Sequence, residues 1–473
     1  MTLLPLSANL FSSRFFVTTK PFSQLSLSPA LLNNLASLGY HSMTEIQAES
    51  LPHTLAGRDI IARAKTGSGK TAAFSLALLN RVNPKNFAVQ ALVICPTREL
   101  SAQVAEETRR LARQIPNIKV LTLCGGQPIG PQIGSLEFGA HIVIGTPGRL
   151  QDHLRKRTLN IDQVTTLVLD EADRMLDMGF IEAIKAIASQ IPDKRQTLLF
   201  SATYPDDIRS LSGQFQVNPV MVTVESVHAS DHIQQSFYRC QQKTKLQALS
   251  GVLAKYRPGH AVVFCNTKLT CAEVWQYLRD SGYQALSLQG DMQQKDRDQT
   301  LVRFSHRSIT MLVATDVAAR GIDIDDLDAV VNYDLPKDTD VYTHRIGRTG
   351  RAGKAGVAIS LMTEPDHWRY ERIIEAMNLT VLDAGTLVDK TRFPCAPSMV
   401  TFSIDAGKKQ KIRATDILGA LTGTVGLAGD DVGKISIFPF VSYVSVKRGV
   451  AKRALAGLQK GKIKGRNLKA RRC

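Results

Sequence analysis

A chain of 473 residues is too long for one compact core, and about three domains is the ordinary expectation. Hydrophobic residues make up 44% and charged residues 21%, enough apolar material for buried sheets, yet no apolar run approaches the ~20 residues that span a bilayer, which excludes a membrane-spanning helix. The formal charge of +17 calls for a polyanionic partner, nucleic acid first, and it is unevenly placed: residues 395–473 hold 16 Lys+Arg against 4 Asp+Glu, the preceding 394 hold 43 against 38.

The first 21 residues are Ser-rich, carry Arg14 and Lys20, and precede any acidic residue, the first being Glu45. That composition suits an organellar transit peptide, but two basic residues and short apolar segments fit better with a disordered extension or an early start. Seven cysteines (95, 124, 240, 265, 271, 395 and 473) show neither metal-ligand nor paired spacing, and read as reduced thiols of a cytoplasmic protein.

From residue 22 onwards, short apolar β-branched runs alternate with helix-length segments: 59–62, 91–95, 142–145, 167–169, 197–200, 261–265, 311–314 and 329–331. Such alternation predicts α/β architecture with parallel sheets covered on both faces, and the runs suffice for two sheets. The expected layout is a first domain over 22–214, a linker region over 215–234 in which a strand-like 220–224 leads into a polar stretch, a second domain over 235–390, and a basic module over 395–473.

After the apolar Ile60 and Ile61 comes Ala64-Lys65-Thr66-Gly67-Ser68-Gly69-Lys70-Thr71, then a helical 72–79. This strand, loop and helix match the phosphate-binding loop, with Ala64 where the generic form has Gly. Gly67 and Gly69 let successive N–H groups of residues 66–71 face phosphates, and the helix N-terminus adds its dipole. Lys70 would neutralise the β- and γ-phosphates, and Thr71 would ligate Mg²⁺. One hundred residues later an apolar strand ends in Asp170-Glu171-Ala172-Asp173. Asp170 can hold Mg²⁺ through water, and Glu171 can orient and deprotonate an attacking water. A capped helix start with solvated acids accounts for Asp173 or Asp177, but not for two acids placed directly after a buried strand.

On the tetrad Asp170-Glu171-Ala172-Asp173 and the motifs around it, the chain over about 22–371 resembles the DEAD-box RNA helicases. The resemblance implies two RecA-like domains that bind and hydrolyse ATP. Phe22, 25 positions before Gln47, would brace an adenine site read by the Gln47 amide, which donates and accepts at once. Arg98 in Pro96-Thr97-Arg98-Glu99-Leu100, Gly126 after Gly125, and Thr146 and Arg149 in Thr146-Pro147-Gly148-Arg149 would contact RNA. Ser201 and Thr203 of Ser201-Ala202-Thr203 would couple hydrolysis to strand separation.

In the second domain Thr315 would contact RNA, Asp323 the ribose of ATP, and His344 would communicate with residues 201–203. Three arginines and a histidine lie in His344-Arg345-Ile346-Gly347-Arg348-Thr349-Gly350-Arg351; Arg348 and Arg351, three apart, suit a clamp on the transferring phosphoryl group. Lys70, Asp170 and Glu171 are thus in one domain and the arginines in the other, so the resemblance implies a site completed by domain closure.

The C-terminal module reads β, α, β, β, α with a further strand, the layout of an RNA-recognition (RRM-like) fold, but 434–438 lacks the usual stacking aromatics. Lys408, Lys409, Lys411 and Arg413 beside Asp405-Ala406-Gly407, and the ending 460–472, resemble the RNA-binding domain of the bacterial DbpA subfamily. That likeness implies recognition of a 23S-type rRNA hairpin in large ribosomal subunit precursors, by a monomer. An ATP-gated RNA clamp without productive unwinding, and a DNA translocase with the same motor, are the competing readings. The intact Glu171, Arg348 and Arg351 speak against the first, and the adenine motif and RNA-type module against the second.

Overall fold

The computed structural model describes residues 20–64, 67–224, 233–319, 327–350, 356–377 and 395–473, so most of the N-terminal extension and of the segment before residue 395 lies outside the described residues. The molecule contains two α/β domains, each built on a parallel sheet, and a small C-terminal domain on an antiparallel one. By chain contacts it divides into two units, 1–225 and 226–473.

The first unit holds β1 (Ile60–Arg63), β2 (Ala91–Ile94), β3 (Val120–Leu123), β4 (Ile142–Gly145), β5 (Thr166–Asp170), β6 (Gln196–Ser201) and β7 (Val220–Thr223), ordered β3-β4-β2-β5-β6-β1-β7. Every pairing is parallel. The apolar runs are continuous because successive residues feed opposite cores. Ile60, Val93, Ile144, Val168 and Phe200 join one cluster, while Ile61, Leu92, Val143, Leu167 and Leu199 join the other. The strand expected at the head of the linker, now β7, pairs with β1 as an edge of this sheet.

The second unit opens with β8 (Ile233–Arg239), β9 (Ala261–Cys265), β10 (Ala285–Leu288), β11 (Met311–Thr315), β12 (Ala329–Asn332) and β13 (Gly356–Met362), ordered β10-β11-β9-β12-β13-β8, again all parallel. Strands β8, β10 and β13 were not among the runs read from the sequence. Gln234, Gln235, Ser287 and Ser360 interrupt their apolar character.

The C-terminal domain comprises β14 (Met399–Ile404), β15 (Val432–Ile437), β16 (Ser442–Lys447) and β17 (Ala470–Arg472), with helices Ala414–Gly419 and Ala451–Lys460, in sheet order β15-β16-β14-β17. This is the expected β, α, β, β, α, β layout. Val400, Phe402, Val444 and Val446 face the helices and form the core with Ile417, Ala454 and Leu458.

The other face of that sheet is not open. Thr401, Tyr443 and Ser445 are only 2%, 4% and 1% exposed. Thr401 bonds Ser308 of the second motor domain at 2.8 Å between hydroxyls, and His306 Nε2 lies 2.8 Å from Ser436 Oγ. His306 occupies the C-terminal cap of the helix Gln294–Ser305, and burial, then Cys473, then Asp298 of that helix, push the Tyr443 hydroxyl up. The C-terminal domain therefore docks on the motor through its sheet.

Burial of His306, and secondarily Lys434, pushes its imidazole pKa down to about 4. An undocked His306 would titrate near ~6.5. Protons then favour the undocked state between these values. Docking is predicted to be unchanged above about pH 6.5, to weaken by up to ~1.4 kcal/mol per unit as pH falls towards 4, and to lose no more below it. Amide exchange of β14 and β16, corrected for intrinsic rate, should show this opening at pH 5. His306→Gln should flatten the dependence; persistence in that variant would assign it to another group.

Candidate functional site

In both parallel sheets the motif residues follow the C-terminal ends of strands, the edge at which open α/β sheets bind ligands. The phosphate loop follows β1, the acidic tetrad β5, and Ser201-Ala202-Thr203 closes β6, which lies between them in the sheet. The strand ends thus bring the phosphate loop to two segments that follow it by roughly 100 residues or more in the chain.

Gly67 and Gly69 have φ of 84° and 96°, the left-handed region that glycine adopts without strain. The helix Lys70–Arg81 begins directly after Gly69. Lys70 is buried, and its ammonium donates to Ala64 O at 2.7 Å, spanning the loop. The Ser68 hydroxyl is buried without a hydrogen-bond partner among the described residues. A buried cation, an orphaned hydroxyl and a helix N-terminus form a donor set that fits a polyphosphate. Thr66 lies outside the described residues, and Thr71 is half-buried on the first turn.

Gln47 is buried beside this loop. Its Oε1 accepts from Thr44 N–H at 2.9 Å, and its Nε2 donates to Gly69 O at 3.1 Å. A Cβ on Gly69 would come within 2.5 Å of that amide nitrogen, so the site needs glycine for space as well as conformation. Phe22 is buried and meets Tyr40 edge-on at 6.4 Å.

Asp170 and Glu171 are buried at the tip of β5. Desolvation, then the neighbouring Glu171, raise the Asp170 pKa to about 7, with Lys70 opposing. A buried Asp170 that holds its proton this readily, beside a second buried carboxylate, fits a divalent cation, whose charge would offset both the burial and the repulsion. Glu171 has φ 55°, and its Oε2 accepts from Arg174 Nη1 at 2.9 Å in a buried ion pair.

Asp173 was expected only as a first-turn acid. It is instead a buried junction: its Oδ2 accepts from Ala202 N–H at 3.1 Å, Thr203 N–H at 3.0 Å and the Thr203 hydroxyl at 3.2 Å, while its own N–H donates to Ser201 Oγ at 3.3 Å. Ala64 N–H donates to Ser201 O at 3.0 Å. Phosphate loop, acidic tetrad and the end of β6 are therefore joined by hydrogen bonds.

The residues expected to touch RNA line the remainder of the same edge. Arg98 opens the helix Arg98–Leu111 after β2, and its guanidinium lies so near Gly126 (φ 74°) that a Cβ there would collide with it. Thr146 caps the helix Pro147–Arg155 after β4. Arg149 donates from Nη2 to Gln127 O at 3.0 Å, while its buried Nε, 3.9 Å from Asp152 Oδ2, and Nη1 have no hydrogen-bond partner among the described residues. A partly unsatisfied guanidinium fits a phosphate oxygen.

In the second unit Thr315 ends β11, and His344 and Arg348 follow within and just after the helix Thr339–Ile346. Asp323 and Arg351 lie outside the described residues. Arg345, to which the sequence reading gave no role, is the fixed point here. It is 2% exposed and donates to both Asp316 carboxylate oxygens at 2.6 and 2.7 Å, to Asn266 Oδ1 at 2.9 Å, Asn332 Oδ1 at 3.2 Å and Asp334 O at 2.6 Å. It ties the ends of β9, β11 and β12 to the helix that presents His344 and Arg348. The legible signal was Tyr342, Arg345 and Ile346 at i, i+3, i+4, an arginine on the buried stripe.

In the C-terminal domain Lys408, Lys409, Lys411 and Arg413 cluster in the loop after β14. Lys464 Nζ donates to Lys411 O at 2.7 Å and Arg466 Nη1 to Gln410 O at 3.2 Å, adding two cations. Lys447 and Arg448 sit at the opposite end of β16, where Lys447 pairs with Asp431.

Residues 44–211 match the DEAD/DEAH box helicase family, 244–353 the helicase conserved C-terminal domain, and 401–472 the DbpA RNA binding domain. The chain is 50% identical over 451 residues to the ATP-dependent RNA helicase DbpA of Escherichia coli (strain K12), covering 95% of this chain and 99% of that one. It is 45% identical over 369 residues to a DEAD-box ATP-dependent RNA helicase CshA of Bacillus cereus (strain ATCC 10987 / NRS 248), covering 77% and 70%. A solved structure of S. cerevisiae Dbp5 bound to RNA and ADP BeF3 is similar with a TM-score of 0.70 at 31% identity, over 77% of this chain and 96% of that one.

Removing Arg174 would leave two adjacent buried carboxylates with Lys70 as their remaining compensating cation. Breaking a buried pair from one side is strongly unfavourable. Arg174→Gln is expected to lower kcat for ATP about tenfold with little change in KM, and Arg174→Lys to recover part of it. Steady-state phosphate release measures both, and an unchanged kcat in the glutamine variant would deny the pair any bearing on turnover.

Proposed function

The chain belongs to the DEAD-box family of ATP-dependent RNA helicases, and on that premise we propose that it locally unwinds large-subunit ribosomal RNA during assembly of that subunit, targeted to an rRNA hairpin by its C-terminal domain. The observation that carries this reading is the joining, in one chain, of a phosphate-loop and acidic-tetrad edge to a domain of the DbpA RNA-binding type with six clustered cations.

ATP would enter with its polyphosphate at residues 66–71, held by Lys70 and the helix N-terminus, and with its adenine read by Gln47 near Phe22. Thr71, and Asp170 through water, would hold Mg²⁺, which supplies charge neutralisation along the phosphates. Glu171 takes the proton of the attacking water. Arg348 and Arg351 stabilise the charge of the transferring phosphoryl group, a contribution of ~10³–10⁵ in rate for arginines in this role, and Asp323 holds the ribose. Because these residues are divided between two domains, ATP favours the arrangement in which both sets engage it.

Arg98, Gly126, Thr146, Arg149 and Thr315 hold the RNA strand by its backbone, so the motor is indifferent to sequence. Ser201, Thr203 and His344 pass the state of the nucleotide site to that strand. Specificity comes from Lys408, Lys409, Lys411 and Arg413. The protein acts as a monomer in the cytoplasm, a reducing compartment that suits seven cysteines without paired spacing.

Glu171→Gln should keep ATP and RNA binding while lowering RNA-stimulated turnover at least about a thousandfold; wild-type turnover in this variant would remove Glu171 from the chemistry. For targeting, deletion of the C-terminal domain is a poor test, since it also uncovers His306 and Ser308. Lys408→Ala with Lys409→Ala in the full chain is cleaner. Half-maximal ATPase stimulation should need at least about tenfold more of a large-subunit rRNA fragment and more of unrelated RNA by a smaller factor, so that the preference between them narrows. Equal stimulation of the wild-type protein by both RNAs would contradict the targeting.

A further inference from the structure

An RNA-recognition fold ordinarily offers bases the open face of its sheet. Here that face is spent on docking, with Thr401, Tyr443 and Ser445 buried. Phe402 is in the core, and Phe438 packs edge-on against Tyr443 at 5.6 Å. Phe440 is the one aromatic side chain of residues 395–473 that is exposed, at 67%. A lone exposed aromatic needs no explanation in itself. Its setting does.

Phe440 stands at the tip of the β15–β16 hairpin, closed by Phe438 N–H donating to Val441 O at 2.8 Å. The basic loop is bonded along this hairpin: Lys408 N–H donates to Phe438 O at 2.8 Å and Lys409 N–H to Pro439 O at 2.9 Å. Gly407 makes the approach possible. A Cβ there would collide with Phe438 O and lie 2.9 Å from Phe440 N. Lys464 and Arg466 are tied by hydrogen bonds to the carbonyls of Lys411 and Gln410 in the same loop. A fixed, exposed ring is thus held at the edge of a six-cation cluster.

Cations that seek phosphates beside a free aromatic face are the two elements of a site for single-stranded nucleic acid. A protein partner with an apolar anchor would gain from the ring but not from the surrounding positive charge. A duplex would gain from the charge but not from the ring, because its bases are already stacked. We propose that Phe440 is a stacking platform for an unpaired RNA base, such as one in a hairpin loop or bulge, whose flanking phosphates are held by Lys408, Lys409, Lys464 and Arg466. The proposal deepens the targeting reading and rests on it: the lysines supply attraction, and Phe440 supplies discrimination between looped and fully paired RNA.

The test uses the full chain without nucleotide and two RNAs of equal phosphate number, a stem with an unpaired loop and a blunt duplex. Phe440→Ala should weaken binding of the looped RNA about tenfold. Its affinity for the duplex and the slope of log K against log salt should stay unchanged, since no phosphate contact is removed. Phe440→Trp should retain looped-RNA affinity and show added emission that the looped RNA quenches and the duplex does not. Lys408→Ala with Lys409→Ala should instead weaken both RNAs and reduce the salt slope. Undiminished looped-RNA affinity in Phe440→Ala, or unquenched emission in Phe440→Trp, would overturn stacking. If the lysine variant still loses affinity in that case, RNA targeting by the loop survives alone. If it also binds as the wild type does, the targeting reading fails with it.

Discussion

The carboxylate of Asp173 is the constraint on which the motor's first domain depends. Three hydrogen bonds to its Oδ2 and one from its N–H hold the end of β6 against the acidic tetrad. The carbonyl of Ser201 then reaches the phosphate loop through Ala64. A buried carboxylate that satisfies three donors is expensive to disturb, because losing it leaves those donors unpaired in a low-dielectric interior. The acidic tetrad and the phosphate loop are thereby linked to residues 201–203 through consecutive hydrogen bonds, the connection that the proposed coupling requires. The second unit uses the same device with opposite sign: Arg345 satisfies carboxylate, amide and carbonyl oxygens from three strand ends. Its planar fork makes lysine a poor substitute.

Docking of the C-terminal domain turns a familiar fold to a different use. Its sheet carries small hydroxyl residues (Thr401, Ser436, Ser445) where stacking aromatics would otherwise stand, and of these Ser436 meets His306 and Thr401 meets Ser308. What the sheet gives up, the opposite ends of its strands provide, since the loop after β14 and the β15–β16 tip carry both charge and an exposed ring. Docking on the second motor domain and the proposed contact with RNA thus fall on different parts of one small domain.

Much of this was legible before any coordinates. Parallel sheets leave long apolar runs because both faces are covered, and those runs located most central strands. Motif residues at strand ends follow from the same architecture. The missing strands were β3, a short run interrupted by Thr122, and β8, β10 and β13, which carry Gln and Ser that the local pattern scores as loop but tertiary packing accepts. Asp173 escaped because its partners lie 28 to 30 positions away, and an acid in a first helical turn already has a sufficient local explanation. The departure of 434–438, with Phe438 its single aromatic, from the aromatic-rich pattern cast doubt on base stacking over the sheet. It could not show that the sheet was covered, since Ser and Thr suit a solvated face as well as a docked one.

The most direct measurement is a double-mutant cycle between Asp173→Asn and Thr203→Ala, read as the change in RNA affinity produced by a non-hydrolysable ATP analogue. If the Asp173 junction carries the coupling, each single variant loses most of that change. The double variant then loses little more, an interaction of about 1 kcal/mol or greater. Strict additivity, or full ATP-dependent tightening on RNA in either single variant, would contradict it.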